Sequence, residues 1–123
     1  MPEYFTISNA NELFHIMSDS IVCVTSDGNY SDLHTRDGEH HTVTLQLGVI
    51  EQMMKAQLGS DKENEFVRIG KCLIVNMRFV SYINPSKRQI TLSDSHTFKI
   101  SLEASKEALK ELKDYFEKKM KQK

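Results

Sequence analysis

Apart from one inner stretch, the chain from Tyr4 to Ile100 never sustains an apolar pattern for long. Short β-branched and aromatic runs are cut repeatedly by Asn, Asp, Gly, Pro and Ser clusters. That punctuation favours short strands joined by tight turns and does not fit a parallel βαβ sheet with its crossover helices. Phe5-Thr6-Ile7 and Leu13-Phe14-His15-Ile16 read as strands across the polar turn Ser8-Asn9-Ala10-Asn11. Ile21-Val22-Cys23-Val24 has no polar face, which suits a strand buried on both sides, and Ser26-Asp27-Gly28-Asn29 ends it. Tyr30 to Thr35 and His41 to Leu45 make a hairpin about Arg36-Asp37-Gly38-Glu39. Phe66 to Ile69, Leu73 to Val75, Val80 to Ile83, Gln89 to Ser93 and Thr97 to Ile100 supply the remaining strands.

Two segments carry helical periodicity. Val49, Ile50, Met53, Met54 and Leu58 predict a short amphipathic helix capped by Gly59, with a charged loop from Asp61 to Glu65. From Leu102 onward the composition turns helical, with the stripe Leu109, Leu112, Phe116 and Met120, and Ser101 as the expected N-cap. The fold class expected is therefore mainly β, with one short inner helix and a C-terminal helix. No repeat or linker divides the 123 residues, so one domain spanning 1–123 is expected, its core about 4–116 and a basic helical tail to 123.

No apolar run approaches the ~20 residues needed to cross a bilayer. Met1-Pro2-Glu3-Tyr4 lacks the basic start and apolar stretch of a secretory signal. Cys23 and Cys72 are far apart and show no CxxC spacing, so reduced thiols in a cytoplasmic protein are expected. The net charge of −1 is unremarkable, but its distribution is not. Residues 1–65 hold 3 Lys/Arg against 11 Asp/Glu, and residues 66–123 hold 13 against 6. A second half at +7 hints at an anionic partner, although much of that charge lies in the last fifteen residues, where it can simply solvate a helix.

Enzyme chemistry finds little support. His40 and His41 are adjacent and would point to opposite faces of a strand, and no HExxH or HxH pattern exists to hold a metal. There is no GxSxG, GxxxxGK[ST] or GxGxxG, and Cys23 sits in an apolar run that would bury it. Cys72 follows Lys71, which raises the idea of a redox-sensing thiol, but nothing supplies a general base. The expectation is a non-enzyme with no metal and no cofactor.

Several local patterns recur in one order: Ser18 to Val24, then Asp27-Gly28-Asn29-Tyr30, a hairpin, the short helix, and Phe66-Val67-Arg68-Ile69-Gly70-Lys71-Cys72-Leu73-Ile74-Val75-Asn76. Val80 to Ile83 and Asp94 to Ser101 complete them. From about Tyr4 to Phe116 the chain resembles the LytTR DNA-binding domain of bacterial transcription regulators. The most specific part is F-x-R-I-x-[basic]-x-x-[IV]-V-N, matched by Phe66, Arg68, Ile69, Lys71, Ile74, Val75 and Asn76.

The resemblance implies an elongated antiparallel β sandwich whose loops enter the major groove of double-stranded DNA, with no recognition helix. By position it implies a first DNA-facing loop at Asn29-Tyr30-Ser31, a second at Lys71, and a third at Ser101-Leu102, taken as the loop after the last strand. Arg68, Arg78 and Lys99 are expected to neutralise phosphates. Asn76, at the end of an apolar strand, is expected to satisfy buried backbone groups instead. Gly70 and Leu102 stand where the family commonly has His and Arg. They favour an alternative, a protein-interaction module or antagonist of a related regulator. A homodimer or a partner regulator is a further expectation. This length leaves no room for the receiver domain that often precedes such a module; if the chain is complete, regulation is expected to come from abundance, a partner or a ligand.

Overall fold

The computed structural model describes residues 3–63 and 65–121. Its elements, in chain order, are β1 (Tyr4–Ser8), β2 (Leu13–Met17), β3 (Ile21–Asp27), β4 (Tyr30–Thr35), β5 (His40–Val43), α1 (Leu47–Glu63), β6 (Phe66–Ile69), β7 (Leu73–Asn76), β8 (Val80–Asn84), β9 (Gln89–Ser93), β10 (Lys99–Glu103) and α2 (Lys106–Lys121). Single 3₁₀ turns at Ser18–Ser20 and Met77–Phe79 bend the chain between strands. The strands form a β1–β2 hairpin, a five-stranded sheet in the order β5-β4-β3-β7-β6 and a three-stranded sheet in the order β10-β9-β8. Every pairing is antiparallel. The fold is mainly β, as the short punctuated runs predict.

The five-stranded sheet is buried on both faces. One face packs Val24, Leu33 and Ile74 against Phe5 and Ile7 of β1 and Leu47, Ile50, Met54 and Leu58 of α1. The other packs Cys23, Leu73 and Val75 against Ile90 and Leu92 of β9 and Leu109 and Leu112 of α2. This two-sided burial is why Ile21–Val24 carries no polar residue. A register shift between Ile21 and Cys23 lets Val22 and Cys23 both serve the second core. Asn76 is fully buried: its Nδ2 donates to the Ile21 carbonyl at 2.9 Å, and its Oδ1 accepts from the Arg78 N–H at 3.0 Å. It ties the end of β7 to the start of β3, the backbone role expected of it.

Both helices differ from the sequence expectation. α1 continues through Gly59 to Glu63, so Gly59 is not a cap and most of the expected charged loop is helical. A glycine inside a helix costs only about 1 kcal/mol, which the buried face of α1 offsets. Val49 is exposed, and the buried stripe is Leu47, Ile50, Met54 and Leu58. β10 runs on to Glu103, and α2 begins only at Lys106, with the Ser105 hydroxyl accepting from the Ala108 N–H at 3.2 Å. Ser105, not Ser101, is the N-cap.

Candidate nucleic-acid interface

Antiparallel register decides which turns share an end of the molecule. Cys23 pairs with Val75 and Thr25 with Leu73, and the Ser26 N–H donates to the Cys72 carbonyl at 3.0 Å. The β3–β4 turn at Gly28-Asn29 and the β6–β7 turn at Gly70-Lys71-Cys72 therefore lie side by side. Gly28 and Gly70 both have φ +66°, the left-handed conformation that glycine adopts without strain. A Cβ on Gly70 would sit 4.0 Å from the Ser105 hydroxyl, so the β10–α2 junction flanks the same turn. The Ala104 N–H donates to the Arg88 carbonyl at 3.1 Å, which brings the β8–β9 turn, residues 85–88, alongside that junction. Four turns thus line one end of the two sheets.

Both helices start at this end as well. Gln46, whose carbonyl accepts from the first turn of α1, donates from its side chain to Asn29 Oδ1 at 3.3 Å. The start of α2 follows Ser105 directly. The partial positive charge of two helix N-termini adds to the lysines and arginine exposed here. Lys71, Lys87, Arg88 and Lys106 are all exposed, and none makes an ion pair among the described residues.

The residues singled out from sequence divide accordingly. Asn29 and Lys71 stand in exposed turns, and Tyr30, the first residue of β4, is 55% exposed. Ser31 is 1% exposed, and its hydroxyl donates to the Leu45 carbonyl at 2.7 Å. It holds the approach to α1 and presents nothing at the surface, because the second residue of β4 faces inward. Arg68 donates to Glu51 at 3.2 Å and to the Lys71 carbonyl at 3.2 Å, so it braces the Lys71 turn against α1. Its charge already has a carboxylate partner.

Lys99 lies at the other end. It begins β10, pairs with Ser93, and shares a cleft with Val22, Gly38 and Phe98. Arg78, bound to Asp19 at 2.8 Å, follows the far end of β7. Neither joins the row of turns.

Ser101 and Leu102 are not in a loop. They are central residues of β10, opposite Thr91 and Ile90, and the Ser101 hydroxyl meets that of Thr91 at 3.1 Å. The serine that follows the last strand is Ser105, and the residue after it is basic, Lys106. Alternation was the available signal. Exposed Lys99, Ser101 and Glu103 interleave with the half-buried Ile100 and Leu102, so the period-two pattern runs past Ile100.

The model of the LytTr DNA-binding domain family matches residues 11–117. The chain belongs to that family. Among solved structures, a LytTr DNA-binding domain from Bacillus cereus superposes with a TM-score of 0.60 at 14% identity, over 94% of this chain and 98% of that one. At that identity the likeness speaks for the LytTr fold alone. No curated protein matches.

Cys72 is a free, exposed thiol in the β6–β7 turn, whereas Cys23 and the adjacent histidines are held structurally. Burial pushes the Cys23 thiol up to about 12, so it stays protonated at neutral pH. His40 and His41 face opposite ways, His41 against Phe14 and His40 beside His34. Among the described residues no group of three His, Cys, Asp or Glu side chains is placed to hold a metal ion. None of their helices is long and apolar enough to cross a membrane.

Proposed function

We propose that this LytTr domain is a transcription regulator that binds duplex DNA sequence-specifically, setting its row of turns against successive stretches of the major groove. Lys71 and Lys106 meet phosphates or guanine edges, while Asn29 and Gln46 offer amide groups to bases and Tyr30 packs beside them. Arg68 is a positioning residue. The observation that carries the reading is the convergence of Asn29, Lys71 and Ser105-Lys106 at one end of the molecule, from three separate parts of the chain. The serine-then-basic pattern expected after the last strand is present as Ser105-Lys106, so Leu102 no longer counts against a third contact.

Selection of bound duplexes from a random library at a stated salt concentration tests this. A recovered consensus, with affinity falling steeply as salt rises, is the expected result. No consensus together with co-purification of a LytTR-type partner would support the antagonist reading, which now rests on Gly70 alone.

A further inference from the structure

The β8–β9 turn has no role in the contacts described so far, yet it is both basic and tightly built. The Asn84 side chain accepts from the Lys87 N–H at 3.1 Å and donates to the Tyr82 hydroxyl at 2.9 Å. The Arg88 N–H closes the turn on the Pro85 carbonyl at 3.1 Å. Arg88 itself has φ 57°, a left-handed conformation that a glycine or asparagine would take with less strain. Its carbonyl is clipped to Ala104, immediately before Ser105-Lys106. An arginine held where another residue would fit more easily, on a braced turn, suggests that the side chain matters more than the backbone preference.

Lys87 and Arg88 are exposed and have no ion-pair partner among the described residues. Glu103, across the strand pair from Gln89, and Glu107, in the first turn of α2, are the nearby carboxylates in sequence register, and neither makes an ion pair with them. Within the row of turns this pair lies beyond Ser105-Lys106 as seen from Lys71.

We propose that Lys87 and Arg88 form a fourth DNA contact, made to backbone phosphates at one flank of the bound site and independent of base identity. The inference rests on the DNA-binding reading and extends it. A pair of cations on a rigid turn suits phosphates, because the turn is ordered before binding and the charges need no release from carboxylates.

The test uses the full chain with its selected duplex and compares the wild type with Lys87→Ala/Arg88→Gly, with Arg88→Lys, and with Lys99→Ala from the opposite end. Glycine suits the φ of position 88, so the double variant keeps the turn. The double variant should bind about ten-fold more weakly and lose about two units of salt slope. Its order of preferred sequences should be unchanged, and ethylation interference should vanish at one flank only. Arg88→Lys and Lys99→Ala should behave as the wild type does. An unchanged slope and footprint in the double variant, with the wild type binding, would overturn the proposal. A wild type that binds no duplex with salt dependence would overturn the DNA-binding reading, and this inference with it.

Discussion

The guanidinium of Arg68 reaches past Gly70 to donate to the Lys71 carbonyl at 3.2 Å while its other amino group holds Glu51 of α1, also at 3.2 Å. One side chain thus fixes an exposed lysine relative to a helix on a different element. In the three-residue turn Gly70-Lys71-Cys72, which opens on a left-handed glycine, this brace joins the Ser26–Cys72 hydrogen bond in setting the direction of Lys71.

A charge-neutral double variant, Glu51→Ala/Arg68→Ala, isolates that positioning. Net charge at the site is preserved, so the salt slope of DNA binding should stay the same. Affinity should fall about five-fold, corresponding to the loss of about 1 kcal/mol of preorganising hydrogen bonds. Anisotropy titrations at several salt concentrations separate the two quantities. A lower slope would mean that Arg68 itself touches phosphate.

Lys71→Ala and Lys106→Ala should each reduce affinity and lower the salt slope by about one unit, since each removes one cation without a protein partner. Ser31→Ala should leave DNA selectivity unchanged and act on stability alone, costing about 1 kcal/mol in a urea titration. A changed consensus in Ser31→Ala would contradict its burial.

Asn76→Ala leaves the Ile21 carbonyl and the Arg78 N–H without their partner at a site with 0% exposure. The expected loss is about 3 kcal/mol in denaturant unfolding, the cost of orphaning two backbone groups. Asn76→Asp should be worse, because the carboxylate cannot donate to Ile21 and its charge would be buried.

Asp94 provides the pH dependence. The Thr97 hydroxyl, then the backbone N–H groups of His96, Thr97 and Phe98, hold its carboxyl well below the usual range. Its folded-state pKa is depressed, so its stabilising contribution is complete above the unfolded value of about 3.9 and is lost as pH falls below that value through the folded one. Urea midpoints measured from pH 6 downward should therefore fall more steeply below pH 4 in the wild type than in Asp94→Asn. Parallel curves would remove this carboxyl from the acid transition.

Much of the strand pattern was legible because it is local. Tyr30–Thr35, Phe66–Ile69 and Gln89–Ser93 coincide with their expected limits. The unbroken apolar run of β3 announced a strand covered on both faces. The element ends were less legible. α1 overran Gly59, because burial of its stripe outweighs one glycine, and β10 overran Ile100, because the helix-forming residues after it masked a continuing alternation. Misplacing that end moved the expected third contact from Ser105-Lys106 to Ser101-Leu102.

By itself the sequence determined the set of strands and turns, the glycines that let two turns reverse, the buried role of Asn76, and the order of motifs that marks the LytTr family. Each depends on residues close together in the chain, where side-chain periodicity and backbone preference act directly. Only the tertiary structure decided which turns share an end. It brought Asn29, Lys71, Ser105-Lys106 and Lys87-Arg88 together, sent Lys99 and Arg78 to the opposite end, and turned Ser31 inward. Those outcomes follow from antiparallel register between strands distant in the chain, which is set by the packing of two cores on one sheet.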